Sequence, residues 1–157
     1  MKQTFHGVFS LLLFSLAIVV ALISLSSQSF WLALLYLVIV GLSSCGILYA
    51  YCSKCSVRHD NCSHVIPGSL TRYFPIRKQG PYTFLDYALT ILCLFVLALF
   101  PQYWLLADHV ALLLFWILAV IATAEILVFV CRQCENVRCL MCPNVQTPED
   151  QGPASSQ

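Results

Sequence analysis

The sequence predicts an all-α membrane protein: four transmembrane helices in two hairpins, with a small cysteine-rich, metal-binding cytoplasmic head. Three observations lead there. The 157-residue chain is 60% hydrophobic and only 10% charged, whereas a soluble domain carries about 25% charged residues to face water. Its mean hydropathy of +0.84 points to a surface that meets lipid. Its apolar residues gather in four long runs, and seven of its nine cysteines gather in two clusters outside those runs. Disorder needs the opposite composition. A net charge of +1 gives none of the basic footprint of a nucleic-acid binder, so no nucleic-acid partner is expected.

Roughly 20 apolar residues in helix cross a bilayer core about 30 Å thick. Val8 to Leu25 is the first such run. Lys2 before it resembles the start of a secretory signal, but the run exceeds the roughly 7–15 residues of a signal's apolar region, so it reads as a retained span. A short turn, Ser26 to Ser29, leads to the second run, Phe30 to Tyr51, which completes a hairpin over residues 1–51. Residues 52–83 form a long polar loop. Thr83-Phe-Leu-Asp86 then matches a capping box, with Thr83 as N-cap and Asp86 reaching back to it. The third span follows, Phe84 to Trp104, with Tyr103 and Trp104 suited to the membrane interface. A turn around Leu105 to His109, where Asp108 and His109 can be solvated, precedes the fourth span, Val110 to Val130, so residues 84–130 form a second hairpin. Residues 131–143 hold the second cysteine cluster, and the polar tail 144–157 reads as disordered. In lipid every backbone polar group must be paired within the protein, which makes each span a helix.

Orientation follows from charge. Lys2, Lys54, Arg58, Arg72, Arg77, Lys78, Arg132 and Arg138 all fall in the N-terminus, the long loop or the tail, and the two short turns carry no Lys or Arg. An even number of spans puts those three regions on one face. The positive-inside rule makes that face cytoplasmic, with both termini inside.

The clusters are Cys52-x2-Cys55-x6-Cys62-x-His64 and Cys131-x2-Cys134-x4-Cys139-x2-Cys142, each opening where a span ends. The cytosol is reducing, so clustered cysteines there more often bind metal than form disulfides. Three Cys-x2-Cys pairs offer sulfurs in the spacing that grips one tetrahedral ion. The expected ligands are Cys52, Cys55, Cys62, His64, Cys131, Cys134, Cys139 and Cys142, with His59 as a substitute for His64. Each cluster can close its own site. In the interleaved alternative, favoured by the short spacer between Cys134 and Cys139, Cys52 and Cys55 share an ion with Cys131 and Cys134, while Cys62 and His64 join Cys139 and Cys142. Zinc is the default ion for such donors, and Lys54, Arg58, Arg132 and Arg138 would offset thiolate charge. An iron–sulfur cluster is the alternative, since Cys142-Pro143 ends the second cluster as in bacterial ferredoxins. Acylation of a juxtamembrane cysteine such as Cys52 or Cys131 is the simpler reading, but it leaves the repeated spacing unexplained.

Other residues carry weaker signals. Glu125, roughly 8 Å below the end of the fourth span, is an ionisable group inside hydrocarbon: a candidate for proton or cation passage, or a polar tie to Thr90 or Ser43. Cys45 and Cys93 read as packing residues. Leu70, Tyr73, Phe74 and Ile76 among Arg72, Arg77 and Lys78 suit contact with anionic headgroups. Gly41, Cys45, Ala119 and Thr123 stand at the small-x3-small spacing of close helix pairs.

These residues favour a structural or partner-docking membrane protein with a zinc-stabilised head, in contact with the bilayer and a cytoplasmic protein partner. A membrane redox protein with an iron–sulfur cluster or reactive thiols, and a metal-transport or sensing protein, are the alternatives. A cysteine-rich loop between spans two and three resembles that of the palmitoyltransferases, but His59-Asp60-Asn61-Cys62 stands where their Asp-His-His-Cys nucleophile motif would be. The four-helix thiol oxidoreductases of the vitamin K epoxide reductase kind also pair Cys-x2-Cys with other cysteines, on the oxidising side of the membrane.

Overall fold

The computed structural model describes residues 2–55, 67, 70–73 and 82–133. Its long helices are α1 (Lys2–Gln28), α2 (Phe30–Ala50), α3 (Phe84–Leu99) and α4 (His109–Glu125). There is no strand among the described residues. With their helical extensions, all four are long and apolar enough to cross a membrane: Phe5–Gln28, Phe30–Lys54, Phe84–Leu105 and His109–Val130. Among the described residues the regular structure is all helical, and the four candidate spans fit a multi-pass membrane protein whose apolar surface suits contact with lipid.

The hairpin between α1 and α2 is tighter than the sequence suggests, because Ser29 alone leaves the helical conformation (φ −163°, ψ 132°). The hydroxyls of Ser26 and Ser27 donate to the carbonyls of Ile23 and Ser24 in the last turns of α1 (2.8 and 2.7 Å), so these side chains are satisfied by their own helix, and the Ser29 N–H still reaches the Leu25 carbonyl (3.0 Å). The start of α3 carries the expected capping box: Asp86 Oδ2 accepts from the Thr83 N–H (2.9 Å) and hydroxyl (2.8 Å). Asp108 has more than a solvation role, since its carboxylate caps α4 by accepting from the N–H groups of Val110 and Ala111 (3.0 and 3.2 Å).

Between α3 and α4 the chain passes Pro101 and makes one further helical turn, Gln102–Leu105. Proline has no N–H, so Pro101 leaves the carbonyl four residues back, that of Leu97, without its helical donor. Tyr36 of α2 supplies the replacement: its hydroxyl donates to the Leu97 carbonyl at 3.0 Å. The Tyr36 ring is 1% exposed and stacks on Phe100 (centroids 5.7 Å apart, planes 8° apart). Across the connection, Trp116 Nε1 donates to Gln102 Oε1 (3.0 Å), and Gln102 Nε2 donates to the Ala98 carbonyl (2.7 Å).

The packing order is α4–α1–α2–α3. α1 lies along α4 most extensively, α2 along α3, and α1 meets α2, whereas α2 and α4 barely touch. The buried core lies toward the turn end: Ala17, Ala21 and Leu25 of α1 meet Tyr36, Leu105, Phe115 and Leu118. Ala17 and Ala21 let α1 approach its neighbours closely, and Ala122 of α4 is fully buried. The small-residue contact therefore differs from the expected one. Gly41 has open space at its Cβ position, and Cys45 and Thr123 are exposed. Spacing alone gave the right motif on the wrong helix faces. The close approach in α2 is at Gly46, where a Cβ would lie 2.9 Å from Cys93 Sγ of α3. Cys93 is thus a packing residue, and Cys45 is not buried.

Candidate functional site

The contacts of the helices bring the start of α1, the end of α2, the start of α3 and the end of α4 to one end of the bundle. The first cluster begins there. α2 runs into a 3-10 turn, Cys52–Lys54, closed by the Cys55 N–H donating to the Cys52 carbonyl (3.2 Å). A turn of this kind returns the chain within about 7 Å, which suits two thiolates gripping one ion. Ser53, between them, is buried and its hydroxyl donates to the Tyr49 carbonyl (2.5 Å), fixing the turn to the end of α2.

The second cluster begins the same way after a different prelude. Beyond Glu125, α4 widens into a π-helical segment, Ile126–Val130, whose last bond runs from the Cys131 N–H to the Ile126 carbonyl. A 3-10 turn, Cys131–Gln133, follows. Both leading Cys-x2-Cys pairs thus open on the first residue of a 3-10 turn, the first closing the span Phe30–Lys54 and the second directly after the span His109–Val130. Cys52, Cys55 and Cys131 are all half-buried. Cys62, His64, Cys134, Cys139 and Cys142 lie outside the described residues, as do His59, Arg58, Arg138 and the tail 144–157.

Among the described residues no three His, Cys, Asp or Glu side chains converge in a metal-binding group. Three ligands of the interleaved arrangement, Cys52, Cys55 and Cys131, are described, and they are not brought together as a trio. The packing gives the reason: α1 stands between α2, which carries the first cluster, and α4, which carries the second.

Among the described residues, two ion pairs tie helices together at this end. Lys54 Nζ donates to Asp86 Oδ2, with the two side chains 9% and 4% exposed. Lys54 therefore answers the buried carboxylate of α3. Tyr51 and Tyr82 stack beside it (4.7 Å, 20°), with Tyr87 on the rings of both. The second tie joins α1 to α4: His6 Nδ1 donates to Glu125 Oε2 at 2.9 Å. The His6 ring also stacks on Phe129 of the π segment (4.5 Å, 6°).

Glu125 is therefore paired, but with His6 and not with Thr90 or Ser43. The Thr90 hydroxyl is directed to its own helix, at the Asp86 carbonyl (2.8 Å). His6 precedes the first apolar run and was not among the residues that the sequence singled out. The signal that could have found it is depth: in a four-span chain, residue 6 and residue 125 lie at the same level of the same end. In the loop, Leu70 and Tyr73 are exposed (42% and 87%). Phe74, Ile76, Arg77 and Lys78 lie outside the described residues.

No family model matches this chain, and no curated protein or solved structure matches it.

Proposed function

We propose that this protein is a structural or partner-docking membrane module whose cytoplasmic end is organised by zinc bound to its two cysteine clusters. The observation that carries the reading is the repeated local geometry. Cys52–Lys54 and Cys131–Gln133 are both 3-10 turns that begin on the first cysteine of a Cys-x2-Cys pair. Each sits where a span ends, at the same end of the bundle. The donor sets, three cysteines with a histidine and four cysteines, match structural zinc.

Because α1 separates α2 from α4, the division that fits best gives each cluster its own ion. Cys52, Cys55, Cys62 and His64 would hold one, and Cys131, Cys134, Cys139 and Cys142 the other. Zinc bound there would fold two short segments that are too small to build an apolar core of their own. The positive-inside rule, applied to the eight Lys and Arg residues outside the short turns, supports a cytoplasmic position for this head. A folded polar head of that kind is suited to docking a cytoplasmic protein.

Metal content and an absorption spectrum test the reading on anaerobically purified protein in detergent. About two zinc per chain without visible absorption is the expected result. A Cys55→Ser, Cys134→Ser double variant should lose most of that metal, and unchanged content would refute the ligand assignment. Iron with acid-labile sulfide and visible absorption would replace the structural reading with electron transfer. Metal-free protein would overturn both.

A further inference from the structure

We propose that Ser53 and Lys54 are positioning residues for a metal ion at the first cluster, and that they couple its Cys52–Cys55 turn to the packing of α2 against α3. The turn that opens the second cluster has no such coupling. The inference rests on the zinc reading above and deepens it.

The two residues between the first two cysteines are both anchored in the bundle. Ser53 is 1% exposed, and its hydroxyl donates to the Tyr49 carbonyl one turn back (2.5 Å). The Lys54 side chain is 9% exposed, and its Nζ donates to Asp86 Oδ2 of α3. That oxygen is itself fixed, because it also accepts from the Thr83 N–H and hydroxyl (2.9 and 2.8 Å) at the start of α3. The position before Cys52 is held as well: the Tyr51 ring stacks on Tyr82 (4.7 Å, 20°), whose hydroxyl donates to the Tyr51 carbonyl (3.3 Å). None of these contacts uses a sulfur. Cys52 and Cys55, both half-buried, are therefore held through the backbone of the turn, which the Cys55 N–H closes on the Cys52 carbonyl (3.2 Å).

This bears on metal affinity. A free Cys-x2-Cys segment gives up the backbone freedom of the residues between its thiols when it closes on an ion. In the first cluster the folded bundle has already removed that freedom, and a preorganised site binds more tightly for that reason. The second cluster differs. In its turn, Cys131–Gln133, the residue that corresponds to Ser53 is Arg132, and it is exposed. The turn follows α4, and α1 stands between α4 and α2, so neither anchor of the first turn reaches it.

Zinc affinity, measured by competition with a chelating dye on the full chain in detergent, tests the proposal. Cys134→Ser with Cys139→Ser leaves the first site to be read by itself, and Cys55→Ser with Cys62→Ser leaves the second. In the first-site protein, Lys54→Met together with Asp86→Leu replaces the ion pair without leaving a buried charge. It should weaken zinc binding about tenfold, the low end of the effect of groups that orient metal ligands. Ser53→Ala, which keeps the ion pair, should weaken it in the same direction and carries the test if the double replacement does not fold. In the second-site protein the same changes should leave zinc affinity unaltered, which separates positioning from a general loss of stability. Unchanged first-site affinity in either variant, or an equal fall at both sites, would overturn the positioning role while leaving the ligands in place. A first-site protein that binds no zinc with both anchors intact would overturn the ligand assignment and this proposal with it.

Discussion

Removing one oxygen atom, in Tyr36→Phe, tests how this chain tolerates a proline between two membrane-spanning segments. The Tyr36 hydroxyl donates to the Leu97 carbonyl at 3.0 Å, the group that Pro101 leaves without a helical donor. Phenylalanine keeps the ring and its stack on Phe100, so the substitution isolates the hydrogen bond. A carbonyl left bare in an apolar interior costs about 1–3 kcal/mol in proteins. Polar pairs between membrane helices, measured by double-mutant cycles, average about 0.6 and reach about 1.7 kcal/mol. Tyr36 is 1% exposed, so water does not readily replace it, and the upper part of that range applies: about 1.5 kcal/mol.

The assay is equilibrium unfolding in mixed micelles, followed by circular dichroism, on four proteins: wild type, Tyr36→Phe, Pro101→Ala and the double variant. Phe100 keeps right-handed helical angles (φ −54°, ψ −48°), so an alanine at 101 presents its N–H toward the Leu97 carbonyl. In that background the tyrosine hydroxyl is redundant, and its loss should cost less than about 0.5 kcal/mol. The coupling between the two sites should then be about 1 kcal/mol, large enough to resolve. An equal cost of Tyr36→Phe in both backgrounds would refute the account, because the hydroxyl would not be answering the proline.

Two further substitutions probe the α2–α3 contact. Gly46→Ala puts a methyl 2.9 Å from Cys93 Sγ and should destabilise the protein by about 1–3 kcal/mol, the usual effect of overpacking; Cys93→Ala should recover most of that loss, and additive losses in the same unfolding assay would contradict the close approach. Lys54→Met leaves the Asp86 carboxylate, 4% exposed, without its cation. It should cost about 3 kcal/mol, whereas Lys54→Met with Asp86→Leu should recover much of it, as apolar replacements of buried pairs often do; a double variant no more stable than Lys54→Met alone would argue that Asp86 acts through Thr83 only.

The spans were legible because each is a long run whose apolar content no water-facing helix would carry, and because Thr83 and Asp86 announce the start of α3 in adjacent sequence. What escaped was whatever depends on helix phase and depth. Gly41 and Gly46 have the same local signature, yet only the second meets a neighbouring helix, since the choice is made by α3 and not by α2. Tyr36 and Pro101 read separately as a buried aromatic and a breaker; their relation spans 61 residues between Tyr36 and Leu97. Glu125 was visible as an anomaly, while His6 looked like ordinary flanking sequence until the ends of α1 and α4 were aligned. Of the eight expected ligands, spacing pointed to all of them, but only Cys52, Cys55 and Cys131 lie among the described residues, so the way they pair rests on the order of the helices.

That order bears on what metal would do. Among the described residues, each ion pair at the cysteine end lies within one helix pair: His6 to Glu125 joins α1 to α4, and Lys54 to Asp86 joins α2 to α3. Each cluster therefore starts from a different tied pair, the first from α2 and the second from the end of α4. The apolar core that joins the pairs lies toward the opposite end, around Ala21, Leu25, Tyr36 and Leu105. Ions held within each cluster would add no link between the two pairs. An ion shared between Cys52, Cys55, Cys131 and Cys134 would lock them together. Loss of metal would then loosen the whole end in the second case and only the local turns in the first, and amide exchange along residues 43–50 of α2 distinguishes the two because those residues precede either cluster.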